Sequence, residues 1–154
     1  MDTLLFYVFL GVHIISLIIG MGAVLVIDTA GVLWLLKKTK LSSVMSMARL
    51  TQPLIWIGWS GLVISGSVLL TLKGSVDALT KLKLFLVLMV GLNGFFLHLI
   101  KKSMESIKGE HVPAKLMFKI ALASAISQIG WWGAIVIGFL HRHWRHHIDW
   151  PSWL

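Results

Sequence analysis

The chain has 154 residues, of which 57% are hydrophobic and 13% charged, against about a quarter charged in soluble domains. It has no cysteine, which excludes disulfides, thiolate metal sites and cysteine-held iron–sulfur clusters. The net charge of +8 belongs, in so apolar a chain, to loops facing the cytoplasm and anionic headgroups rather than to a nucleic-acid surface. Composition thus predicts an all-α integral membrane protein forming a single transmembrane domain over residues 1–154.

The first predicted helix spans residues 4–36. It opens without a basic leader and is longer than a signal-peptide core, so it is expected to be retained. At that length it exceeds the ~17–25 residues of an untilted span and is expected to project beyond the membrane. Inside it stands His13, and an imidazole held in a bilayer needs a partner. Gly20, Val24 and Gly31 follow His13 on one stripe at helical spacing. Ser16 and Gly20 form a small-xxx-small pair that admits either a second backbone or a flat ligand. Asp28 lies about 22 Å further along the axis at ~1.5 Å per residue, in a different layer from His13.

The second helix is predicted over 53–72, with Pro53 in its first turn, where a missing N–H costs little. It holds Trp56, Trp59, Ser60 and Ser65 but no ionisable group, so packing and ring contacts are expected of it. The third, 82–100, carries Lys83, Asn93 and His98. Depth pairs Lys83 with His13 in an outer layer and His98 with Asp28 in an inner one. The fourth, 116–140, places Ser124, Ser127, Gln128 and Trp131 on one inward polar face. Short connections imply an up-down four-helix bundle.

Lysines and arginines set the direction. Nine lie on the side of residues 37–52 and 101–119, and five on the other, so the richer side is expected in the cytoplasm and both termini outside. The tail, 141–154, holds His141, His143, His146 and His147, a set able to bind copper, zinc or nickel, and Trp144, Trp150 and Trp153 as interfacial anchors.

These residues carry a resemblance. His13 followed by Gly20 and Gly22, then Lys83 in the run Leu82-Lys83-Leu84-Phe85-Leu86-Val87-Leu88, resembles small bacterial membrane proteins of the membrane-type protoporphyrinogen oxidase and copper-resistance protein D types. The resemblance covers helices one and three. It departs at Ile19, where a tryptophan is usual, and lacks the oxidase's arginine and tyrosine at the end of helix one, which argues for a neighbouring family rather than the oxidase itself. It implies a bacterial inner-membrane protein with b-type haem held by His13 and Lys83. Asn93 lies near the place of a second helix-three histidine, and His98 one turn beyond it.

Three functions follow as expectations. The first is a haem- or transition-metal-binding protein with a redox role and a redox partner, its site drawn from His13, Lys83, Gly20, Asn93 and His98, with Asp28 as a further metal ligand. The second is a proton- or metal-ion-transport subunit, requiring a homodimer, with Asp28, Asn93, His98 and Gln128 along the path. The third is a non-catalytic accessory subunit.

Overall fold

The computed structural model describes the backbone of residues 2–105 and 112–143, and side chains over 3–100 and 112–140. The tail residues His141, His143, His146, His147, Trp144, Trp150 and Trp153, and Lys101, Lys102 and Lys108, lie outside the described side chains. Four helices follow in order: α1 (Asp2–Leu35), α2 (Leu41–Lys73), α3 (Ala78–Glu105) and α4 (Ala114–His143). All four contain a stretch long and apolar enough to cross a membrane. Large apolar side chains such as Ile18, Ile64, Leu92 and Ile129, one on each helix, are more than 60% exposed. A helix that turns such residues outward has lipid for its solvent, and the protein is a multi-pass membrane protein built as an all-α four-helix bundle.

Helix two begins at Leu41 rather than at 53. Pro53 therefore sits inside it, not in its first turn, and leaves the carbonyl four residues back, at Arg49, without its usual donor. What extends the helix is a face that also was legible. Val44, Met45, Ala48, Thr51, Gln52 and Ile55 recur at helical spacing and line one cavity. The extra turns match α2 to the long α1, so the inner part of α1 is covered by α2.

The connections are tight. α1 ends with Lys37 in the left-handed region at φ 58°, its N–H donating to Trp34 O and that of Lys38 to Leu33 O, both at 2.8 Å. α2 stops at Gly74, whose φ of 70° suits glycine. Asp77 then caps α3: its Oδ1 accepts from Thr80 N at 3.0 Å while Oδ2 pairs with Lys73 Nζ at 3.0 Å.

The helices pack as two hairpins. α1 lies closely along α2, and α3 along α4, whereas the α1–α4 and α2–α3 seams touch at few points. Small residues close the first hairpin. A Cβ added to Gly58 would stand 2.5 Å from Gly20 Cα and 2.7 Å from Ser16 O, so the two backbones themselves are in contact. The second hairpin seats Leu86 and Val90 of α3 on Gly130 and Gly133 of α4, and Asn93 Nδ2 donates to Ala123 O at 2.7 Å. Where the hairpins meet, Met21, Val24, Leu62, Val90 and Trp131 form an apolar layer across the bundle. Cavities lie on both sides of that layer.

Candidate functional site

The first cavity, about 280 Å³, is lined by His13, Leu17, Trp59, Lys83, Trp131 and Gly138 among others. It draws on all four helices, and its rim residues Ile14 and Gly138 are exposed, so it opens between α1 and α4. His13 and Lys83 do share one layer, as depth predicted, and both line this cavity. The Nζ of Lys83 rests against α4 at Gly138, 3.7 Å from where a Cβ would be. Among the described residues Lys83 makes no hydrogen bond or ion pair.

His13 is held from α2. Its Nδ1 lies 2.9 Å from Ser65 Oγ, and its ring passes over Gly66, where a Cβ would stand 3.4 Å from Cε1. The direction of this bond can be assigned. A hydroxyl has one proton, and that of Ser65 goes to the carbonyl of Gly61, four residues back in its own helix. Ser65 Oγ therefore accepts from His13 Nδ1–H, which leaves the lone pair of the neutral ring on Nε2. The backbone of Leu62, on the same helix as Ser65, also takes part in hydrogen bonding to the ring. Ser65 is fully buried, so the anchor is rigid.

Gly20 does not line the cavity. The room it clears is taken by Gly58 of α2 and by the indole of Trp131, whose Cη2 would be 2.5 Å from an added Cβ. Of the two options a small pair offers, the close backbone is the one used, and the flat group is the chain's own. Trp131 is 2% exposed, and its Nε1 is the only buried side-chain polar atom without a hydrogen-bond partner among the described residues. An orphaned N–H of this kind costs about 1–3 kcal/mol.

The second cavity, about 680 Å³, lies on the far side of the apolar layer and is lined by Asp28, Gly31, Trp34, Gln52, Trp56 and Ser124, among others. Asp28 is bound to α4. Ser124 Oγ donates to its Oδ1 at 2.8 Å, and Gln128 Nε2 donates to its Oδ2. The orientation of the Gln128 amide is set by Trp132 Nε1, which donates to its Oε1 at 2.9 Å. The inward polar face of helix four is therefore real, and Asp28 is what it meets.

Three expected partnerships change. His98 does not bond Asp28. It is exposed, and its Nδ1 lies 2.9 Å from Gln52 Nε2. Gln52 stands between them, on the cavity wall with Asp28 on one side and bonded to His98 on the other. The inner layer was predicted correctly but its contact was not, because Gln52 belongs to the part of α2 expected to be a loop. His98 lines neither cavity, so it is not placed as a second ligand opposite His13. Asn93 lines neither cavity; its amide is spent on Ala123 O in the α3–α4 contact. Among the described residues no three His, Asp or Glu side chains come together as a metal site.

Ser65 is expected from sequence only as a packing residue of helix two, not as the partner of His13, and Gln52 only as the end of a loop. Ser65 shares a stripe with Gly58 and Gly61 at i, i+3 and i+7, the small-residue face that answers Ser16 and Gly20. Reading both faces as one interface would have set Ser65 beside the helix-one polar residue. No protein-family model, no curated protein and no solved structure matches the chain.

Proposed function

We propose that this protein holds b-type haem at its His13 cavity and serves a redox role in the bacterial cytoplasmic membrane, with both termini outside. The observation that supports this most is the bond from His13 to Ser65. A histidine that ligates a metal through one nitrogen usually donates the other N–H to a fixed acceptor, which sets tautomer and ring orientation. His13 has that arrangement before any ligand arrives.

The donor chemistry fits. An imidazole nitrogen with a lone pair is a normal axial ligand for haem iron, and Lys83 is a second nitrogen base lining the same cavity. The walls are largely apolar, with Trp59, Trp131 and Leu17 among the residues that line the cavity beside His13. At about 280 Å³ the cavity is smaller than the ~300–1,000 Å³ of pockets for drug-sized ligands. Holding a macrocycle therefore requires the α1–α4 seam to widen, and that seam is loosely packed. When bound, haem supplies one-electron chemistry. The chain's own part is to fix His13 through Ser65, to hold Lys83 in the same cavity against Gly138, and to line that cavity with apolar side chains. A lone transition-metal ion is served less well, since one imidazole and one amine are few ligands. A continuous proton or ion path is disfavoured by the apolar layer of Met21, Val24, Leu62, Val90 and Trp131 between His13 and Asp28.

The absorption spectrum of membranes expressing the protein, taken with metal analysis, tests this reading. A Soret band with iron in proportion to protein is expected. Purified protein without a Soret band after haem supplementation overturns it. In that case the accessory-subunit reading, under which His13→Leu keeps fold and phenotype, takes its place.

A further inference from the structure

The Asp28 cavity is the larger of the two and has no part in the reading above. Its volume of about 680 Å³ lies within the ~300–1,000 Å³ of small-molecule sites. The walls are largely apolar and include the aromatic rings of Trp34, Trp56 and Phe118. Among the described side chains, only Asp28 and Asp77 are acidic, and Asp77 pairs with Lys73 in the α2–α3 connection. Asp28 is thus the only described acid inside a span. Both its oxygens accept hydrogen bonds, the pattern of a carboxylate, and both donors are neutral. Among the described residues no lysine, arginine or histidine forms an ion pair with it.

A carboxylate facing an apolar space within a membrane lacks one thing, a countercharge. Each oxygen has a lone pair left after its present bond. The indoles of Trp34 and Trp56, which also line the cavity, favour a positive charge over a neutral group. A hydrated metal ion is poorly matched, because no second acidic group or histidine joins Asp28 in the cavity. We infer that the Asp28 cavity binds a lipophilic organic cation, an apolar body bearing one ammonium group that pairs with the Asp28 carboxylate. Val32 and Phe118, on α1 and α4, both line the cavity and are exposed, so such a molecule enters from the lipid between those helices.

The test uses haem-free full-length protein in lipid nanodiscs, so failure of the haem reading leaves it intact. The probes are dansylcadaverine, a primary ammonium on an apolar fluorophore, and its neutral N-acetyl derivative. Fluorescence is read against empty nanodiscs of the same lipid. Saturable binding of the amine is expected, about tenfold or more tighter than that of the neutral derivative. Asp28→Asn is expected to bring the amine down to the level of the neutral probe. Equal binding of the two probes, no saturable binding of the amine, or an unchanged amine affinity in Asp28→Asn overturns the inference. Should Asp28→Asn fail to fold, the comparison of the two probes on the wild-type protein decides alone.

Discussion

Gly58→Ala is expected to destabilise the protein by about 3 kcal/mol or more, the upper end of the cost of overpacking. The added methyl would meet Gly20 Cα and N at 2.5 Å and Ser16 O at 2.7 Å. These are backbone atoms of a facing helix, so no side chain can turn aside, and α1 must move away from α2 along its length. That movement also withdraws Ser65 from His13. Gly22→Ala is the matched control, because nothing lies within 4 Å of its added Cβ and alanine favours a helix. Thermal unfolding in detergent measures both. A drop on the order of 10 °C is expected for Gly58→Ala and none for Gly22→Ala. Equal midpoints would show that the α1–α2 backbone contact is not what closes the hairpin.

Ser65→Ala is expected to leave the bundle folded and to weaken haem binding by about 10–100-fold, the usual cost of losing the group that orients a ligating histidine. Without the hydroxyl, Nδ1–H loses its acceptor and either tautomer becomes available to the ring. Ser67→Ala serves as the control, since Ser67 is exposed and its hydroxyl bonds only within its own helix, to Val63 O. Hemin titration followed at the Soret band compares the two variants. An affinity unchanged in Ser65→Ala would remove the Ser65 bond from the account and leave His13 with no pre-set orientation.

Much of this arrangement is legible in the chain. Four apolar runs give four helices, and the depth of each polar residue along its helix assigns His13 and Lys83 to one layer and Asp28 to another. Depth is readable because helical rise is constant. What depth cannot supply is the azimuth of one helix against another, and the misplaced contacts come from there. His98 shares the inner layer with Asp28 but faces outward, so its bond goes to Gln52. Asn93 turns toward Ala123 and serves packing. The start of α2 was hidden for a different reason. Residues 41–52 mix Ser, Thr, Gln and Arg49 with apolar residues and follow directly on Lys37, Lys38 and Lys40, and a hydropathy reading takes the whole stretch as a loop. The face of Val44, Met45, Ala48 and Ile55 carries the helix through them. Trp131 fills the space beside Gly20, a contact no spacing within helix one could reveal.

The two-hairpin architecture also explains why the cavities lie where they do. Glycines let α1 approach α2, and α3 approach α4, so closely that volume is left over between the pairs. The side chains of the middle layer, Trp131 above all, fill that volume at one level. On either side it stays open, with His13 and Lys83 lining one cavity and Asp28 the other.

Titration of hemin into the purified wild-type protein and into His13→Ala, followed at the Soret band, tests the central assignment most directly. The account predicts a saturable, shifted Soret band for the wild-type protein and its loss in His13→Ala, with the same helical content in both. A wild-type protein that gives no such band, or a His13→Ala protein that binds hemin with the same spectrum and affinity, would contradict it.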